Sequence, residues 1–171
     1  MSGRVEYLFN YLGHVHRYLS MHGMARADLG LTYSEVERFG EMIRDVDSLP
    51  GSQSPEMSRM HAMCSAGTGS AECGLVTSRY IERQWEARSI DGLAGLVHLD
   101  QDSSAPMHRG GQSYSGFGLS NAGEALDHFW SDRMPDAATR AMLINRTTTL
   151  IRNYNDYCGG CVKNALSGGP R

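Results

Sequence analysis

Apolar residues recur at helical spacing along most of the chain. Val5, Leu8, Phe9, Leu12, Val15 and Leu19 share one face of a segment that reads as a helix from Val5 to about His22. Thr32-Tyr-Ser-Glu35 then opens a second helix with a capping box, in which hydroxyl and carboxylate satisfy each other's backbone donors. Val36, Phe39, Met42, Ile43 and Val46 form its buried stripe, and Leu49-Pro50-Gly51 stops it. Pro55 suits the first turn of a shorter helix through about Cys64. The Gly/Ser/Ala-rich stretch from Ser65 to Gly74 reads as a loop. Three further helices follow, at about Leu75 to Arg88, Ser120 to Arg133 and Asp136 to Tyr157, and a short tail closes the chain at 167–171.

Residues 90–119 break this rhythm. They are rich in Gly and Ser, Leu96 to Leu99 and Tyr114 to Leu119 read as short strands, and Val97, Leu99, Tyr114 and Phe117 can anchor the segment. Connections of this length inside a compact domain are uncommon and usually functional. The expected fold is therefore mainly α: a single domain over 1–171, a bundle of about six helices with a Gly-rich irregular or short two-stranded wing at about 90–119.

Composition narrows the function classes. With 40% hydrophobic and 20% charged residues, the 171-residue chain has the balance of one globular domain. A net charge of −3, with fifteen Arg and the single Lys163 dispersed along the chain, gives no basic patch, so nucleic acid is not an expected partner. No apolar run approaches the ~18 residues of a membrane span. The opening Met-Ser-Gly-Arg-Val-Glu passes at once into an amphipathic pattern, unlike the apolar core of a secretory signal. The expectation is a cytoplasmic protein, or an extracytoplasmic one if its cysteines are bonded.

The cysteines are Cys64, Cys73, Cys158 and Cys161. Together they could hold zinc, with His61 one turn before Cys64 as a spare ligand. Free thiols, two disulfides or a redox-active Cys158-Gly-Gly-Cys161 are the alternatives. Arg17 and His22 match the Arg-x4-His pattern of all-helical RNA-cleaving (HEPN-type) domains. On a straight helix, however, those two side chains point about 140° apart. His16 lies on the apolar face of the first helix, the position of a hydrogen-bonded core histidine. Tyr7, Tyr11 and Tyr18 form a flank suited to core margin or partner contact.

Two carboxylate–imidazole groupings carry potential chemistry. Glu124, His128 and Asp132 recur every fourth residue, and His98 or Asp100 of the wing could join them as metal ligands or as general acid and base. Glu86, at the end of its helix before the wing, stands with Asp100 and Asp102 in a layout that resembles lysozyme-like glycoside hydrolases. There a helix-end Glu is the general acid and a wing Asp stabilises the developing cation. Two functional expectations result. The first is a helical interaction or assembly protein with a protein partner or self-association. The second is a small glycoside or metal-dependent hydrolase, an effector if secreted, using His98, Asp100, His128 and Glu86 between wing and helices.

Overall fold

A computed structural model describes residues 2–47, 49, 52, 55–65, 67–105, 108, 113–114 and 135–168, with side chains from His14 onward except at 55, 56, 113 and 114. The fold is built around a helix that nothing in the periodicity announced. Ile90–Asp102, the first half of the expected wing, is a helix, here α4, and not a strand. Its residues Gly92 to Leu99 are all buried, as are Gln101 and Asp102. A helix covered on every side has no polar face, so its sequence shows no 3.6-residue alternation. Ser89 starts it, its hydroxyl accepting the Gly92 N–H at 3.1 Å.

Around α4 stand α1 (Ser2–Ala27), α2 (Tyr33–Val46), a 3-10 helix (Pro55–His61), α3 (Ser70–Glu86), α5 (Ala137–Tyr157) and α6 (Cys161–Leu166). The described residues are thus mainly helical, as expected. The two strands have two residues each: Cys64–Ser65 (β1) pairs in parallel with Ser113–Tyr114 (β2). Of the two strands expected in the wing, Leu96 to Leu99 is helical, and Tyr114 to Leu119 lies outside the described residues beyond Tyr114, which belongs to β2. Residues 115–134, with the helix expected at 120–133, lie outside the described residues. The capping box at Thr32 forms as read, with the Thr32 N–H donating to Glu35 Oε2 at 2.6 Å.

The main core joins Met24, Ala27, Val36, Phe39 and Ile43 to Leu93, Leu96, Val97, Ile151, Tyr154, Val162 and Leu166. Tyr154 ties three elements together: its hydroxyl donates to the Gln84 carbonyl at 2.8 Å and accepts from the Ser89 N–H at 3.2 Å. Cysteines pair locally, Cys64 with Cys73 and Cys158 with Cys161, at Cα separations of 5.4 and 5.5 Å. Bonded sulfurs offer no thiolate, so the zinc reading of Cys64, Cys73, Cys158 and Cys161 gives way to the disulfide reading. Among the described residues no helix is long and apolar enough to cross a membrane.

Glycines let neighbours approach α4 closely. A Cβ at Gly92 would lie 2.5 Å from both the Gln84 carbonyl and the Tyr154 hydroxyl, whereas one at Gly74, in α3, meets nothing within 4 Å. Gly92→Ala should therefore destabilise the protein by about 1–3 kcal/mol through overpacking. Gly74→Ala should stabilise it by up to ~1 kcal/mol through helix propensity. Paired urea denaturation curves check both signs; equal midpoints would contradict the packing assigned to α4.

Candidate metal centre

Four elements deliver imidazoles and carboxylates to one buried point. α1 contributes His16, the end of α2 contributes Asp47, the 3-10 helix ends on His61, and α4 contributes His98 and Asp102. His98 and Asp102 are one helical turn apart and so project from the same face. Just after His61, Ala62 adopts a left-handed backbone with φ of 56°. That conformation is costly for a residue with a Cβ, and such strain collects at functional places.

Asp102 is the hub. Its Oδ2 lies 3.0 Å from His61 Nδ1 and 3.1 Å from His98 Nε2, and those two nitrogens are 3.1 Å apart. Its other oxygen, Oδ1, lies 3.0 Å from His16 Nε2. Asp47 Oδ1 reaches His98 Nε2 at 3.4 Å and His61 Nδ1 at 3.7 Å. His108 stands behind, with its Nδ1 4.0 Å from Asp102 Oδ2 and also donating to the His61 carbonyl. His98 is 0% exposed, His61 3% and Asp102 4%, which removes solvent screening from all of these charges.

The outward nitrogens are held as well. The His61 Nε2–H donates to the Ser52 carbonyl at 3.2 Å, and the His16 Nδ1–H to Gln101 Oε1 at 2.8 Å. Gln101 is oriented in turn by its amide nitrogen, which donates to Ser20 Oγ at 3.0 Å and Thr147 Oγ1 at 3.4 Å. A carbonyl accepting the outer N–H fixes the tautomer and turns the inner nitrogen's lone pair to the centre, the arrangement of metal-ligating histidines. His98 Nδ1 is buried and has no partner among the described residues; groups of that kind are normally met by a water or an ion.

Charges within the cluster shift its titrations. Burial by itself pushes the Asp102 carboxyl up, but the His98, His16 and His108 charges outweigh it and hold Asp102 well below the usual carboxylate range. Asp47 is lowered in the same way, chiefly by His98 against its own burial. Burial opposes protonation of His98, yet Asp102 and Asp47 raise its pKa well above the ordinary value, and Asp102 likewise raises that of His16.

The residues singled out from sequence divide sharply. His98 is at the heart of the centre. Asp100 is not: two residues on, it projects about 200° around the helix and binds Arg146, which also donates to Ser104 Oγ at 3.1 Å. Glu86 is exposed at the end of α3, in a groove with Arg59, Val76, Arg79, Glu82 and Arg83. His98, Asp100 and Glu86 therefore do not converge, and His128, with Glu124 and Asp132, lies outside the described residues. Arg17 is held by Glu37 and Glu41 while the exposed His22 stacks on Tyr18, so the Arg-x4-His pair forms no site. His16 is the hydrogen-bonded core histidine expected. His61 turns away from the cysteines to Asp102, and Asp47 and His108 carried no signal beyond their residue type.

Comparison with protein-family models, with curated proteins and with solved structures finds no match to this chain.

The shifts set a pH dependence for the metal-free protein. Groups raised on folding, His98 and His16, contribute stability that is full below their unfolded pKa of about 6.5 and is lost as pH rises through the folded values. The depressed Asp102 and Asp47 contribute stability that is full above about 3.9 and is lost as pH falls through theirs. Chelator-treated protein should thus melt several degrees lower at about pH 9 than at about pH 6. Asp102→Asn should flatten that slope. Thermal melts across this range decide it, and a wild-type melting point that rises with pH would contradict the assignment.

Proposed function

We propose that the chain is a metal-dependent hydrolase whose ion is held by His61 Nδ1, His98 Nε2 and Asp102 Oδ2. The observation that carries this reading is the convergence of these three donors at mutual distances of 3.0–3.1 Å in the core. Tetrahedral ligands on one ion with bonds of about 2.0–2.1 Å are separated by about 3.3–3.4 Å, so the three donors need open by only a few tenths of an ångström to take one. Two nitrogens and a carboxylate oxygen are the donor set of many catalytic zinc sites, which use three protein ligands and keep a fourth position for water. A divalent ion there would acidify that water and polarise the bond to be cut. Water would then add across the bond, its hydroxyl to carbon or phosphorus and its proton to the leaving group.

The chain's own residues hold this arrangement. Ser52 and Gln101 lock two imidazoles, and Asp102 neutralises part of the ion's charge. His16, whose side chain is 12% exposed, marks the more open side, at α1. The disulfides favour an oxidising compartment as the place of action. The assembly reading rests on the Tyr7, Tyr11 and Tyr18 flank and on the wing; of these tyrosines only Tyr18 has a described side chain, which is exposed, and the reading gives the buried histidines no role.

Full-length protein stripped by chelator and reloaded with zinc should regain hydrolysis of a p-nitrophenyl ester or of bis(p-nitrophenyl) phosphate. His98→Ala should cut the rate by about 10²-fold or more, the scale of losing a charge-stabilising group. Asp100→Asn should leave it nearly unchanged. Failure of the wild type to bind zinc, or activity indifferent to the chelator, would overturn the proposal.

A further inference from the structure

The two oxygens of Asp102 face different donors. Oδ2 meets His61 and His98, whereas Oδ1 meets His16 Nε2 at 3.0 Å. The donors of the centre accordingly fall into two three-membered sets, His61–His98–Asp102 and His16–Asp47–His98, each with its ligand atoms within 4.8 Å of one another. His98 Nε2 can serve only one ion, so the second set needs another oxygen, and Asp102 Oδ1 is already beside His16.

We infer that the centre takes two divalent cations bridged by the Asp102 carboxylate. The first is bound by His61, His98 and Asp102 Oδ2, the second by His16, Asp47 and Asp102 Oδ1. This rests on the metal reading above and extends it to a two-ion site.

The donors at His16 are arranged as they are at His61. The His16 Nδ1–H is committed to Gln101 Oε1 at 2.8 Å, so the lone pair of neutral His16 at Nε2 points at a carboxylate oxygen 3.0 Å away. Two lone pairs at that separation repel unless a proton or a metal ion lies between them. The same relation holds at His61, where the Ser52 carbonyl takes the outer N–H and Nδ1 faces Asp102 Oδ2. Each side of one carboxylate thus carries an imidazole with its outer nitrogen locked. Asp47 supplies the anionic ligand that a second dication requires. Bridged pairs about 3.5–4 Å apart are the form in which two ions clamp the attacking and leaving oxygens of a displacement. The substrate class that fits such a pair is a phosphate ester.

The test is stoichiometry. Purified full-length chain is stripped by chelator, equilibrated with zinc alone, freed of loosely held metal and analysed for zinc per chain. Circular dichroism checks that each variant is folded. The wild type should hold two ions, and His16→Gln and His61→Gln one each. Cobalt(II) in place of zinc should show magnetic coupling between two ions in the wild type and none in His16→Gln. One ion per wild-type chain would overturn the bridged pair while leaving the single-ion hydrolase standing, and no ion would overturn both. Two ions retained in His16→Gln would place the second elsewhere and overturn the inference as well. Should His16→Gln not fold, the wild-type stoichiometry and cobalt coupling decide alone.

Discussion

Two carboxylates, Asp47 and Asp102, are buried within reach of the same imidazole nitrogens. An ion moved from water into a protein interior forfeits several kcal/mol of hydration even after relaxation, and it is tolerated only where partners replace what water supplied. Four histidines do so here: His16 from α1, His61 from the 3-10 helix, His98 from α4, and His108. Because their side chains must reach one point, the approach of α1, the end of α2 and the 3-10 helix to α4 is fixed to within a hydrogen-bond length. Apolar packing of Leu93, Val97 and Ile151 drives these helices together. The polar hub decides the alignment at which they stop.

That division of labour explains what the sequence disclosed. Amphipathic helices with one wet face, such as α2 with Val36, Phe39, Ile43 and Val46 inward, announce themselves by period, and the Thr32–Glu35 cap marks where α2 begins. Helix α4 does not, because Gly92 to Leu99 are buried on every side and the helix is thinned by Gly92 and Gly95, residues typical of loops. Reading 90–102 as a wing then cost the site its geometry. On a strand His98 pairs with Asp100, on a helix with Asp102, and the helix is what forms. The i,i+4 spacing of His98 and Asp102 was the available signal. Asp47, His61 and His16 lie 37 to 86 residues from those partners in sequence, and no local pattern links residues that only tertiary packing brings together.

The Gln101 side chain shows how closely architecture and chemistry are joined. It lies within the turn of α4 that carries His98 and Asp102, spans Ser20 of α1 and Thr147 of α5, and presents its carbonyl to His16. One amide thereby couples helix packing to the orientation of an imidazole. A change at Ser20 or Thr147, neither of which touches a carboxylate, would reach the centre through that amide.

Burial of α4 on every side also has a kinetic meaning. The amides and side chains of Gly92 to Leu99 reach solvent only when the surrounding helices part, an opening that costs a large share of the global unfolding free energy. Hydrogen exchange at the Gly92 to Leu99 amides therefore reports the global stability of the fold and not the faster fluctuations of its surface.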